Sequence, residues 1–175
     1  MKGEVPLGEP GPLTAAVVTL SDKGSQGERE DKSGEIIKEL LKEAGYKISH
    51  GILLPDDKKQ IEDNLIELAD SHQVNLIITT GGTGFSKRDI TPEATLAVAH
   101  RQAPGIAEAI RCNSMKITGR AMLSRGASVI RGNSLIVNLP GSPKAVKESL
   151  EFILPHLKHG LEILLSKAEE CGGSN

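Results

Sequence analysis

The sequence predicts an α/β fold with a single doubly wound, mostly parallel sheet and helices on both of its faces. Two patterns indicate this fold. Short runs rich in β-branched residues alternate with segments whose apolar residues recur at helical spacing, which is typical of parallel strands joined by right-handed crossovers. The length of 175 residues also fits one domain better than two.

The first half of the chain contains three predicted strands and two predicted helices. Residues 14–20 (TAAVVTL) and 74–80 (VNLIITT) are apolar runs that we expect to be buried on both faces. Residues 46–54 alternate and form another strand. Ser33 caps the first predicted helix, which Gly45 terminates. A second helix is indicated by the spacing of Ile61, Leu65, Leu68 and Ala69.

The second half begins its regular structure at Thr91-Pro92-Glu93, an N-cap followed by a first-turn proline and acid. Residues 135–139 (LIVNL) form a late strand that ends at Pro140-Gly141. Ser142-Pro143 then starts the final helix, in which Pro155 predicts a bend.

The chain ends differ in composition from the segment between them. Residues 1–13 are rich in glycine and proline and predict a flexible leader, and residues 168–175 predict a flexible tail. The domain is therefore placed at residues 14–167. No apolar run approaches the roughly 20 residues of a membrane span, and no signal-peptide pattern is present. Cys112 and Cys171 lie far apart in the sequence, which favours reduced thiols in a cytoplasmic protein.

The composition argues against two classes of partner. The chain carries 21 basic and 23 acidic residues, a net charge of −2, so it has no basic footprint for nucleic acid. Its only aromatic side chains of the Tyr and Phe type are Tyr46, Phe85 and Phe152, too few for a base-stacking platform. We expect neither nucleic acid nor a membrane as a partner.

Four loops follow predicted strands and begin at Ser21, Pro55, Gly81 and Asn138. The carboxyl ends of parallel strands share one edge of the sheet, where ligands of open α/β folds bind, so these loops are expected to converge. The loop Gly81-Gly82-Thr83-Gly84 fits neither the dinucleotide fingerprint nor the P-loop. This loop could therefore be either a phosphate-binding loop or a plain strand-to-helix turn.

Asp56 and Asp89 follow neighbouring strands and could share a magnesium ion, while Arg88 could neutralise a phosphate. Simpler interpretations stand beside these. Asp56 could cap the next helix, Arg131-Gly132-Asn133 could be a turn, and Ser124-Arg125 could be exposed surface.

Four stretches resemble the molybdopterin adenylyltransferase family, which includes bacterial MogA and MoaB type proteins and related domains of gephyrin and plant Cnx proteins. They are residues 20–34 (LSDKGSQGEREDKSG), 79–95 (TTGGTGFSKRDITPEAT), 122–126 (MLSRG) and 130–148 (IRGNSLIVNLPGSPKAVKE). The resemblance spans about residues 14 to 160 in the right order. The second and fourth stretches together are much more specific than a generic glycine loop.

The resemblance implies a Mg²⁺-dependent enzyme of molybdenum cofactor biosynthesis. Such an enzyme transfers AMP from ATP to the terminal phosphate of molybdopterin and releases pyrophosphate. It further implies a homotrimer that could hand its product to a molybdenum-insertion protein. A non-catalytic molybdopterin carrier of the MoaB type is the alternative. A third and weaker alternative is a scaffold whose pocket is vestigial.

We combine the resemblance with the loop positions to assign the site. Asp56 and Asp89 are assigned as the catalytic and metal-binding residues. The predicted nucleotide- and phosphate-binding residues are Ser21, Gly81, Gly82, Thr83, Gly84, Pro140, Gly141 and Ser142. The predicted pterin-binding residues are Arg88, Ser114, Ser124 and Arg131.

Overall fold

A computed structural model describes residues 11–170, with side-chain surroundings as far as Ser166. Its centre is a six-stranded sheet in the order β2-β1-β3-β6-β5-β4. The strands are β1 (Thr14–Leu20), β2 (Lys47–Leu54), β3 (Leu76–Thr80), β4 (Arg101–Gln102), β5 (Ser128–Arg131) and β6 (Ser134–Leu139). Strands β2, β1, β3 and β6 are parallel, whereas β5 runs antiparallel to β6 and to β4. The predicted mostly parallel sheet is confirmed.

Helices cover both faces of this sheet, as predicted. They are α1 (Asp22–Ser25), α2 (Lys32–Glu43), α3 (Lys58–Ile66), α4 (Thr91–Ala97), α5 (Pro104–Met115) and α6 (Pro143–Glu170). A π-helical turn extends α3 over Glu67–Ser71, and a 3₁₀ turn spans Gly119–Leu123. The final helix continues past Pro155.

Two separate cores explain the unbroken apolar strands. Ala15 and Val17 belong to the core beneath α2, α5 and α6, whereas Ala16 and Val18 belong to the core beneath α3 and α4. All four side chains are buried. A strand packed on both faces buries residues on both of them, so β1 and β3 are mostly apolar and show no regular polar alternation in the sequence. The edge strand β2 does alternate between exposed and partly buried residues.

The cap of α2 differs from the prediction. Asp31 rather than Ser33 caps this helix, because the Asp31 Oδ1 accepts a hydrogen bond from the Gly34 N–H at 2.8 Å. The second oxygen of Asp31 accepts from the hydroxyl of Thr19 at 2.7 Å. The Ser33 hydroxyl instead donates to the carbonyl of Gly141 at 2.8 Å. The two side chains therefore join the start of α2 to the end of β1 and to the loop after β6.

The starts of α3 and α4 also differ from the sequence-based expectations. Asp57, not Asp56, caps α3 by accepting from the Gln60 N–H at 2.9 Å. Thr91 is the first residue of α4 rather than its cap. Its hydroxyl donates to the carbonyl of Gly81 at 2.9 Å. The capping alternative for Asp56 is thus wrong, and Asp56 is available for another role.

The remaining sequence-based expectations concern one turn and the two chain ends. Residues 131–133 form the turn between β5 and β6, with Gly132 at a φ of +53°. Of the predicted leader, residues 1–10 lie outside the described residues, as do residues 171–175 of the predicted tail. Helix α6 occupies the tail as far as Glu170. None of the helices within residues 11–170 is both long enough and apolar enough to cross a membrane.

A buried amide on β6 gives a stability prediction. The Asn138 Nδ2 donates to the hydroxyls of Thr79 and Thr95, both at 2.9 Å, and its Oδ1 accepts from the Ala127 N–H at 3.0 Å. We expect Asn138→Ala to lower the free energy of unfolding by about 2–4 kcal/mol, because it leaves buried groups without partners. Urea unfolding measures the change. The control Asn133→Ala, in the exposed turn, should stay within about 0.5 kcal/mol. Equal stabilities for the two variants would contradict the assignment.

Candidate active site

A cleft of about 750 Å³ lies at the carboxyl ends of β1, β3 and β6. Its floor consists of two loops that touch. The Thr80 hydroxyl donates to the carbonyl of Pro140 at 2.7 Å. A Cβ added at Gly141 would lie 3.3 Å from the Cα of Gly81. The predicted convergence of the loops after β3 and β6 is therefore present at the floor of this cleft.

At two positions of the floor, Gly81 and Gly82, the backbone conformation and the close packing require glycine. Gly81 has a φ of +96°, and an added Cβ would lie 2.3 Å from the carbonyl oxygen of Leu20. Gly82 has a φ of +64°, and its added Cβ would lie 2.3 Å from the Thr91 hydroxyl and 3.0 Å from the Asp56 Oδ1. Only glycine adopts this backbone readily and leaves this space free. The two glycines therefore allow a tight turn, and the backbone of this turn lines the cleft.

Asp56 lies beside this turn with one oxygen unsatisfied. Its Oδ2 accepts from the Asp22 N–H at 3.3 Å, and its own N–H donates to the Asp22 Oδ1 at 3.0 Å. Its Oδ1 is buried and has no hydrogen-bond partner in the structure. Burial first, and then the nearby Asp22 carboxylate, raise the pKa of Asp56. A buried carboxylate oxygen without a donor is costly unless a cation or a proton compensates it.

Asp89 lies between the cleft and a second, shallower cavity. Its Oδ2 accepts from the Ser86 N–H at 2.9 Å and lies 2.9 Å from the Cβ position of Gly84. It lines the cleft on one side and a cavity of about 430 Å³ on the other. The other residues of this second cavity are Phe85, Ser86, Ile90, Glu93 and Arg125. Asp89 is therefore placed to contact two ligands.

Arg125 supports the glycine loop from outside, so the interpretation of this residue as solvated surface is wrong. Its Nε donates to the carbonyl of Gly84 at 2.7 Å, and its backbone N–H donates to the carbonyl of Thr83 at 2.9 Å. Its remaining nitrogens contact the carbonyl of Asp89 and the carboxylate of Glu93. The position of Asp89 consequently depends on this guanidinium.

Asp22 is a site residue that sequence reasoning did not select. The Arg88 guanidinium donates to both of its oxygens, from Nε at 3.0 Å and from Nη2 at 2.7 Å. These hydrogen bonds, followed by that from the Asp56 N–H, lower the pKa of Asp22. The available signal was its place two residues after the end of a strand, which it shares with Asp56.

Comparisons with known proteins identify the family. Residues 16–159 match the family model described as a probable molybdopterin binding domain. The chain belongs to this family. It is 40% identical over 163 residues to the molybdopterin adenylyltransferase of Helicobacter pylori (strain J99), with 91% of this chain and 92% of the relative covered. The Escherichia coli K12 protein of the same name is 44% identical over 142 residues, covering 79% and 72%.

Solved structures of family members have the same fold. The molybdopterin biosynthesis enzyme MoaB of Thermus thermophilus is 43% identical and superposes with a TM-score of 0.83, covering 87% of this chain and 96% of that one. The molybdopterin biosynthesis Mog protein of Mycobacterium ulcerans is 36% identical with a TM-score of 0.81, covering 87% and 99%. The resemblance drawn from the sequence motifs is confirmed.

Most of the residues that the family motifs single out lie at this one edge of the sheet. The cleft is lined by Ser21, Asp56, Gly81, Gly82, Asp89, Gly141 and Ser142. Thr83, Gly84 and Pro140 belong to the same loops, where their carbonyl oxygens accept the internal hydrogen bonds described above. Ser114 lies in the last turn of α5, and Ser124 follows the 3₁₀ turn and precedes Arg125, both outside the cleft.

Arg131 is not part of this site, contrary to the assignment from the sequence. It pairs with Ser134 at the start of β6, whereas the cleft lies at the end of that strand. Its guanidinium donates to both oxygens of Asp70, at 3.0 and 2.6 Å, and to the carbonyl of Val98 at 2.9 Å. The hydrogen bonds from Arg131 lower the pKa of Asp70. Arg131 therefore stabilises the opposite edge of the sheet.

The residues of the cleft fit a divalent cation that is shared with a ligand. Within residues 11–170, no three His, Cys, Asp or Glu side chains converge as a metal-binding group. Asp56 and Asp89 both line the cleft, and Asp56 presents a buried oxygen without a donor. Mg²⁺ commonly uses one or two carboxylates and takes its other ligands from water and substrate phosphates. This donor set suits Mg²⁺ in that shared arrangement.

Proposed function

We propose that this chain is a molybdopterin adenylyltransferase that uses ATP and Mg²⁺ and acts in molybdenum cofactor biosynthesis. The observation that carries the proposal is the position of Asp89 between two cavities. A group transfer requires two substrates side by side, and a shared carboxylate lies where they would meet. The names of relatives at 40–45% identity support the proposal.

The reaction needs no nucleophile from the protein. An oxygen of the terminal phosphate of molybdopterin forms the new bond to the α-phosphorus of ATP, the bond from that phosphorus to the bridging oxygen breaks, and pyrophosphate leaves. Asp56 and Asp89 would hold the Mg²⁺, which supplies positive charge to the phosphates when bound. Gly81 and Gly82 line the cleft, so their backbone would face the phosphates of a bound substrate. Catalysis then comes from positioning and electrostatics.

The cleft's charge supports the need for a divalent cation. Its lining contains five carboxylates, from Glu28, Glu30, Asp31, Asp56 and Asp89, but only two basic side chains, from Arg29 and Lys32. A bare triphosphate would be repelled by such a surface, because like charges at close range are unfavourable. A triphosphate that arrives with Mg²⁺ carries much less negative charge.

Pyrophosphate release tests the proposal directly. Given ATP, Mg²⁺ and molybdopterin, the wild-type chain should release pyrophosphate, and Asp89→Asn should reduce the rate by about a hundredfold or more. The asparagine still offers an oxygen to the Ser86 N–H, so the loop should keep its shape. Asp63→Asn is the matched control, since that carboxylate pairs with Lys59 on the exposed surface of α3. Release that does not need molybdopterin, or an unchanged rate in Asp89→Asn, would contradict the proposal.

The same measurement separates the enzyme from the carrier. A carrier would bind molybdopterin and release no pyrophosphate under any condition.

A homotrimer, a cytoplasmic location and a hand-over to a molybdenum-insertion protein stay predictions. Exposed apolar side chains at Ile117, Met122 and Leu123 offer a surface on which copies of the chain could pack.

A further inference from the structure

The ion pair between Arg88 and Asp22 lies beside the cleft rather than in its floor. The side chain of Arg88 is 62% exposed and that of Asp22 is 37% exposed. The pair is bidentate, with both oxygens of Asp22 accepting from the guanidinium. Ion pairs this exposed contribute little to stability, so the pair can separate at small cost.

Asp22 does not need Arg88 to stay in place. Its Oδ1 also accepts from the Asp56 N–H at 3.0 Å, and its own N–H donates to Asp56 at 3.3 Å. These two hydrogen bonds fix Asp22 against the residue that carries the unsatisfied oxygen. Arg88, by contrast, has its side chain held by Asp22 alone among the hydrogen bonds of the described residues. The guanidinium is therefore the mobile partner.

A guanidinium that donates two parallel hydrogen bonds to a carboxylate has the geometry to donate them to a phosphate. Arg88 is bound to Asp22, and Asp22 is hydrogen-bonded to Asp56, which lines the cleft, so the guanidinium lies one residue away from the cleft lining. The lining is short of positive charge, as described above. A phosphate group in the cleft would thus compete with Asp22 for this cation.

We propose that Arg88 binds a phosphate group of a substrate. When it does so, its guanidinium breaks the ion pair with Asp22 and moves to the phosphate. This inference rests on the proposed function, because it takes the ligand of the cleft to be a phosphate ester. Asp22 then acts as a competing internal anion that lowers the affinity for phosphate. It also keeps the guanidinium beside the cleft while no phosphate is bound.

The two partners of the pair should have opposite effects on affinity. Arg88→Ala should weaken binding about tenfold or more, because a charge-assisted hydrogen bond is lost. Asp22→Asn should tighten binding about two- to fivefold, because the competing charge is removed. The asparagine oxygen still accepts from the Asp56 N–H. If the ion pair only stabilised the fold, neither variant would shift affinity in this paired and opposite manner.

Isothermal titration calorimetry of the full chain with three probes tests the exchange without any turnover. The probes are ATP with Mg²⁺, inorganic tripolyphosphate with Mg²⁺, and molybdopterin. If Arg88 binds the polyphosphate of the nucleotide, Arg88→Ala weakens the first two together. If it binds the pterin phosphate, only molybdopterin is affected. Either pattern supports a phosphate-binding role and identifies the source of the phosphate.

Matched variants separate the exchange from a general effect of charge. Lys87→Ala removes a neighbouring cation from the same exposed loop and should leave affinity unchanged. Asp57→Asn removes a carboxylate whose charge also acts on Arg88 and should not tighten binding as Asp22→Asn does. The double variant Asp22→Asn/Arg88→Ala should bind like Arg88→Ala alone, because Asp22 acts through Arg88.

Three results would overturn the inference. The first is unchanged binding of all three probes by a folded Arg88→Ala. The second is a tightening by Asp22→Asn that persists in full when Arg88 is already alanine. Both would leave adenylyl transfer standing, because that proposal is tested by pyrophosphate release. The third is a wild-type chain that binds none of the probes, which would overturn the proposed function as well.

Discussion

Asp56→Asn is expected to remove most of the turnover and at the same time to stabilise the folded chain at neutral pH. Activity should fall by about a hundredfold or more, because the variant loses a carboxylate from the candidate metal site. Stability should rise because burial and the Asp22 carboxylate raise the pKa of Asp56 in the folded state. A carboxyl whose pKa is raised by folding disfavours the folded state once it ionises, and the neutral amide avoids that cost.

The sign of the pH dependence follows from the same shift. Below the ordinary pKa of aspartate, about 3.9, Asp56 is protonated in both states, so the two chains should unfold at similar temperatures. As the pH rises through the raised pKa of the folded state, wild type loses stability relative to the variant. Thermal unfolding from acidic to neutral pH measures the difference. Asp57→Asn, at the exposed cap of α3, should show neither effect, since asparagine caps equally well. A less stable Asp56→Asn at neutral pH would contradict the assignment.

Gly81→Ala, which adds one methyl group at the floor of the cleft, should strongly destabilise the folded chain. The φ of +96° strains alanine, and its Cβ would lie 2.3 Å from the carbonyl oxygen of Leu20. That oxygen belongs to the last residue of β1, a strand that is paired on both sides and so has little freedom to move. We expect a loss of about 2–4 kcal/mol in the free energy of unfolding, the sum of backbone strain and overlap.

The control for Gly81→Ala isolates the backbone strain. Gly132 also has a positive φ, +53°, but its added Cβ would meet nothing within 4 Å. Gly132→Ala should therefore cost only about 1–2 kcal/mol, the strain of a left-handed backbone. Urea unfolding of both variants gives the comparison. If the two lose the same stability, the close approach of Leu20 has no energetic consequence.

The central fold was predictable because its signal is strong. Strands β1, β3 and β6 are mostly apolar and almost fully buried, and the intervening helices have clear apolar faces, so the order of elements could be predicted without the structure. The antiparallel part was missed. Strand β4 has only two residues, both exposed, and α5 buries only Ala107 and Ile110. Elements that contribute so little to the core leave little periodicity in the sequence.

The candidate site was also predictable only in part. Asp56, Asp89 and the glycine loop could be placed because they follow strands whose carboxyl ends share one edge. Arg131 was misplaced because it precedes a strand, and a residue before β6 lies at the other edge of the sheet. The pairing of Asp22 with Arg88 and the support of the glycine loop by Arg125 could not be predicted, since they depend on contacts across 66 and 41 residues of sequence.

The cluster of Arg131, Asp70 and Val98 has a consequence for how this chain could be altered by mutation. It stabilises the sheet at the edge opposite the cleft, so substitutions there change stability and leave the ligand contacts untouched. Stabilising changes at that edge would offset the cost of destabilising changes near the cleft, because effects at distant sites are nearly additive. Laboratory evolution towards other phosphate esters should therefore begin from variants strengthened around Arg131.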